Sequence, residues 1–158
     1  MHNRFSWLSV FVSFVLAAVF EVLVLPEGLL KFRPEWLALI LIYWLIRHPE
    51  QVGITTAVIF GLFMDVISGS VLGVHVLAYS VIAYLVLSMH QRLKMFPVIQ
   101  QSFVVFFLVG ISLMIVYLLS VMLNGAGGGL SYLWLALTSA IAWPLVLILT
   151  DRLVLSLR

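Results

Sequence analysis

Gly61-Leu62-Phe63-Met64-Asp65-Val66-Ile67-Ser68-Gly69-Ser70-Val71-Leu72-Gly73 sets one carboxylate inside an apolar run and follows it at once with a small-residue turn. Apolar segments on both sides of Ser68-Gly69-Ser70 read as two helices joined by a tight turn. An ionised carboxylate at the centre of a membrane helix costs about 2.5–3.5 kcal/mol on insertion scales. Asp65 therefore needs a partner or a use. It lies about three residues, or roughly 5 Å, before the turn. That places it near the end of a short helix rather than at mid-bilayer, which disfavours a proton relay.

The surrounding chain has the same character. Its 158 residues are 65% hydrophobic and 9% charged, whereas a soluble domain is about 45–50% apolar and about 25% charged. A soluble fold cannot hide that excess. The expected fold is an all-α polytopic membrane protein, one domain over 1–158, with six spans at about 5–25, 35–47, 51–67, 70–89, 98–123 and 130–150. The first apolar stretch is longer than a signal-peptide core and is not closed by a small-x-small site, so it reads as a retained span. Asn124 to Gly129 reads as a glycine-rich loop, and Asp151 to Arg158 as a short tail. With no cysteine, disulfides and thiolate metal sites are excluded. A net charge of +2 is too small to imply nucleic-acid binding.

The second and third spans are short. A re-entrant pair would carry Arg47, His48 and Glu50 to membrane depth, which is costly, so two true spans are expected. With the N-terminus inside, Arg4, Arg47, Arg92, Lys94, Arg152 and Arg158 face the cytoplasm, against only Lys31 and Arg33 outside. Both termini are then cytoplasmic. Trp36 and Trp134 fall at the outer interface and Trp7 at the inner one.

Gly53, Ala57, Gly61 and Asp65 recur every fourth residue and share one helix face. Small residues at that spacing allow close helix approach, within the chain or with a partner. Across an antiparallel hairpin His75 comes level with Asp65 and can bond it. Glu21, near the same outer end, is within reach of Lys31 or Arg33, although an interfacial carboxylate in water is the simpler expectation. The pairs Glu27/Lys31 and Arg33/Glu35 read as a solvated loop, and His90, Arg92, Lys94 and Pro97 as a polar connector. Asp65, His75 and Glu21, with the Gly53/Ala57/Gly61 seam, are the candidate partner- or pocket-facing residues. Ser68, Ser70 and His75 invite a serine-hydrolase reading, but no Gly-x-Ser-x-Gly elbow supports it, and serines beside a glycine are what a turn needs. The histidines at 2, 48, 75 and 90 form no ligand cluster, so no metal or other cofactor is expected. Pro144 is expected to kink the last span.

The run Phe32-Arg33-Pro34-Glu35-Trp36, continuing through Leu39 to Tyr43-Trp44, resembles the second-span signature of the MreD family, bacterial rod shape-determining membrane proteins. Gly61, Asp65, Ile67-Ser68-Gly69-Ser70 and Leu72-Gly73-Val74 resemble its third and fourth spans. Gln100-Gln101 and Trp143-Pro144 also fit. The tail is less basic than the family's. The resemblance implies a non-enzymatic scaffold of the cell-wall elongation machinery in the bacterial inner membrane. It implies binding to MreC, and a larger complex with MreB and a peptidoglycan polymerase–transpeptidase pair. It also implies a fold similar to the substrate-binding subunits of energy-coupling-factor transporters. A small-molecule-binding transporter subunit is therefore the alternative. The resemblance assigns no role to Gly61 or Asp65.

Overall fold

The computed structural model describes residues 6–23, 26–125 and 131–157. Arg4, Arg158 and residues 126–129 of the expected glycine loop lie outside the described residues. Among the described residues the chain is all-α. Its elements are α1 (Trp7–Val22), a 3-10 helix (Glu27–Phe32), α2 (Trp36–Arg47), α3 (Ile54–Ser68), α4 (Val74–Met95), α5 (Val98–Asn124) and α6 (Tyr132–Ser156). The six α-helices follow the six expected spans in order.

The packing is organised around α2. From Leu37 to Ile46 every residue is buried. A helix that is apolar on almost every side can be enclosed by neighbours all round with few polar groups to satisfy. The other five helices all touch it. Its buried indole is satisfied: Trp44 Nε1–H donates to Ser13 Oγ of α1 at 2.8 Å. The surrounding helices bury one side and turn large apolar side chains outward, among them Phe11, Tyr84, Phe103 and Ile141 at 64–70% exposure. So broad an apolar exterior suits hydrocarbon rather than water. The helices α4, α5 and α6 are long and apolar enough to cross a membrane by length and composition, while α1 and α3 are shorter apolar helices.

Three boundaries differ from expectation. The expected connector at His90, Arg92 and Lys94 is helical, because α4 continues to Met95. Residues 91–95 are good helix formers, and cations suit a helix C-terminus. The break falls only at Phe96, held extended (φ −72°, ψ 139°) ahead of Pro97. Secondly, α6 runs unbroken through Pro144 to Ser156, so the start of the expected tail is helix. Thirdly, the turn between α3 and α4 occupies 69–73, with Gly69 at φ 65° and Gly73 at φ 106°. Both conformations favour glycine.

Candidate functional site

At one end of the bundle α1 and α3 finish while α2 and α4 begin, and Asp65 sits there with 1% of its surface exposed. Gly73, the N-cap of α4, has no side chain with which to cap the helix. Asp65 does so from the neighbouring helix. Its Oδ2 accepts the Gly73 N–H at 2.7 Å, and its Oδ1 accepts the His75 N–H at 2.9 Å. These are donors that a helix start leaves without intrahelical partners. Oδ1 also accepts the Ser70 hydroxyl at 2.8 Å and lies 2.8 Å from His75 Nδ1. With Asp65 ionised, that last contact requires the proton on Nδ1. The Asp65 main-chain oxygen meanwhile accepts the Gly69 and Ser70 N–H groups that close α3. One residue thus ends one helix and starts the next, and the expected Asp65–His75 contact is present.

The small-residue seam is spent inside this hairpin. A Cβ on Gly61 would stand 2.5 Å from Val76 Cα, 2.7 Å from Val76 N and 2.9 Å from the His75 carbonyl carbon. Only glycine lets the backbones of α3 and α4 approach so closely. Ala57 is fully buried. Gly53 does not share that face, which corrects the expectation: it is the N-cap of α3, in extended backbone just before the helix, and a Cβ added there would meet nothing within 4 Å. Of the two readings left open for this seam, packing within the chain accounts for Gly61 and for the burial of Ala57 and Asp65.

Beside Asp65 lies a second buried polar group. Glu21 is 2% exposed rather than solvated, which corrects the simpler expectation. Arg33 reaches back to it, with Nη2 2.9 Å from Oε1 and Nη1 donating to the Glu21 main-chain oxygen at 2.8 Å. Glu21 Oε2 accepts the Trp36 N–H at 3.2 Å, at the start of α2. Glu35 is buried as well, so the Arg33/Glu35 segment is no solvated loop. Its N–H donates to Ser139 Oγ of α6 at 3.0 Å, and the Tyr79 hydroxyl lies 3.5 Å from its Oε2. The Tyr79 and His75 rings meet edge to face, with centroids 5.9 Å apart, which joins the two groups. Burial supplies the physical reason for all this pairing: an unpaired carboxylate inside the bundle would be far costlier than a bonded one.

The opposite end of α4 is held in a comparable way. Gln101 of α5 donates through Nε2 to the Leu93 oxygen at 2.8 Å and the Phe96 oxygen at 3.3 Å, and its Oε1 accepts the indole N–H of fully buried Trp143 at 3.2 Å. Nearby, Asp151 accepts the Tyr43 hydroxyl and pairs with Arg47 at 3.0 Å. Replacing Gln101 by leucine removes the amide from the Leu93 carbonyl and the buried indole. It is expected to destabilise the chain by about 1–3 kcal/mol, read as a lower melting temperature in detergent. Unchanged melting would show that water satisfies those groups.

Ser70, His75 and Asp65 have the residue types of a hydrolase triad but not its wiring. A triad needs the serine on one imidazole nitrogen and the carboxylate on the other. Here Ser70 donates directly to Asp65 and sits 3.3 Å from the same Nδ1 that meets the carboxylate. Among the described residues, no three His, Asp or Glu side chains gather as a metal site. Of the motif residues, Arg33, Trp36, Gly69, Ser70, Gly73 and Trp143 sit at these joints. Ser68 is exposed and bonds the Met64 oxygen, while Pro34 accepts the Trp36 N–H. Sequence reasoning missed Glu35, Tyr79 and Ser139. The available signal was that Tyr79 lies one turn beyond His75, on the same face of α4.

The model of the family described as rod shape-determining protein MreD matches residues 1–153 of this chain. Rod shape-determining protein MreD of Haemophilus influenzae is 32% identical over 154 residues, covering 96% of this chain and 95% of that relative. No solved structure matches, so the expected fold likeness to energy-coupling-factor subunits draws no support from that comparison.

Proposed function

This chain belongs to the MreD family of rod shape-determining proteins, and from that premise we propose that it is a non-enzymatic membrane scaffold of the cell-wall elongation machinery. In this reading it lies in the bacterial inner membrane as six spans, with both termini cytoplasmic. It binds MreC and, through that complex, works with MreB and the peptidoglycan polymerase–transpeptidase pair. The observation that carries the reading is the family match across nearly the whole chain. The geometry supports it: Asp65, Glu21 and Gln101 spend their polar atoms on holding helices together, as a rigid scaffold requires. The alternative, a small-molecule-binding transporter subunit, needs a polar pocket open at the Asp65 end. The Asp65 and Glu21 carboxylates there are instead engaged by helix-start N–H groups, Ser70, His75 and Arg33.

The test is purification of the native chain from membranes, together with depletion of it in a rod-shaped cell. MreC is expected to copurify, and depleted cells are expected to become spheres. Recovery with a small molecule and an ATPase module, without MreC, would favour the alternative and overturn the scaffold reading. So would depleted cells that stay rod-shaped.

A further inference from the structure

The end of the bundle opposite Asp65 holds a cavity of about 370 Å³, within the range of small-ligand sites, about 300–1,000 Å³. Its lining is divided by chemistry. Val98 and Leu147 give it accessible apolar surface over buried Ile46 and Trp143, Tyr43 and Gln101 add polar surface, and Arg47, His48 and Lys94 give it a basic lip. Three helix ends meet there, the C-terminal ends of α2 and α4 and the N-terminal end of α5, with the middle of α6 beside them. Val98, the first residue of α5, also lines the cavity. The start of α5 therefore borders the cavity, and helix starts favour anions.

The charges at the lip do not balance. Arg47 is paired with Asp151 at 3.0 Å. Lys94 lines the cavity but has no ion pair among the described residues. Arg92, on the same helix end, is exposed and does not line it. A cavity of mixed polar and apolar lining with an unpaired lysine at its mouth suits an anion carried on an apolar stem. We propose that this cavity binds the phosphate of an anionic amphiphile, with the headgroup at Lys94 and Arg47 and the apolar stem along the accessible side chains of Val98 and Leu147. A phospholipid of the leaflet at the basic end is the source that fits both halves. Basic pockets between membrane helices hold anionic headgroups by the same physics. The inference needs the membrane setting but not the scaffold role, so either reading can fail alone.

The test uses the full chain in neutral-detergent micelles, with thermal unfolding followed as lipid is titrated in. Dioleoylphosphatidylglycerol is expected to raise the melting temperature at concentrations where dioleoylphosphatidylcholine, with the same acyl chains, does not. Inorganic phosphate at the same concentration is expected to have no effect; equal stabilisation by it would overturn the lipid source and assign the site to a soluble phosphate. Lys94→Gln is expected to weaken the phosphatidylglycerol response about fivefold. Arg92→Gln removes the same charge from the same helix outside the cavity and is expected to leave the response unchanged. Equal weakening by both variants, or no difference between the two lipids, would overturn the proposal.

Discussion

Replacement of Asp65 by leucine is expected to cost the folded chain about 2–6 kcal/mol, as two helix-start N–H groups lose their acceptor at about 1–3 kcal/mol each. The groups are those of Gly73 and His75, now bonded to Oδ2 and Oδ1 at 2.7 and 2.9 Å. Leucine offers neither an acceptor nor a route for water into a site that is 1% exposed. The Ser70 hydroxyl and the His75 ring lose their partner as well. Asp65→Asn keeps the shape and one carbonyl oxygen but turns an NH₂ group toward existing donors. It is expected to cost about 1–3 kcal/mol. The measurement is unfolding of the purified variants in mixed micelles, with leucine below asparagine and asparagine below the native chain. A leucine variant as stable as the native chain would contradict the capping role.

Gly61 carries the second large effect. Even a methyl group there would stand 2.5 Å from Val76 Cα, where ordinary carbon contacts lie at about 3.5–4.0 Å. The obstructing atoms are backbone and cannot rotate aside. The helices must separate, and separation pulls Asp65 away from Gly73 and His75. Gly61→Ala is therefore expected to reach the upper part of the usual overpacking cost of about 1–3 kcal/mol, and Gly61→Val to exceed it. Gly53→Ala, at the N-cap of α3 with open space around it, loses only the N-cap preference for glycine and is expected to cost less than Gly61→Ala, within about 1 kcal/mol. Because Gly61 and Asp65 act on one hairpin, the double variant Gly61→Ala/Asp65→Asn should cost less than the sum of its parts. Equal effects at Gly53 and Gly61 would contradict the close approach of α3 and α4.

The sequence carried the helix order because apolar content and Pro/Gly punctuation are local signals. Six runs and their order could be read directly, as could the level placement of Asp65 and His75 across a short turn. The centrality of α2 was less accessible. Its run from Leu37 to Ile46 is uniformly apolar, and in a membrane protein lipid-facing and buried helices look alike by hydropathy. The end of α4 was misplaced because Arg92 and Lys94 suggest a loop when counted as charges, although both favour a helix C-terminus. Glu21 and Glu35 were expected in water because their burial depends on Arg33, Trp36, Tyr79 and Ser139 arriving from other elements. The trans-capping role of Asp65 was hidden for a related reason. It depends on the left-handed conformation at Gly73, which composition alone does not reveal.

The central claim is that Arg33, Trp36, Gly69, Ser70, Gly73 and Trp143 sit at internal joints of the fold and that Asp65 acts through the fold rather than by touching a partner. The most direct measurement is the amount of MreC, the partner proposed above, copurified per mole of folded chain, for the native protein and Asp65→Asn, alongside the stability of each. The account predicts reduced stability with the MreC ratio unchanged. Native stability with the MreC ratio lost would contradict it and return Asp65 to the partner interface.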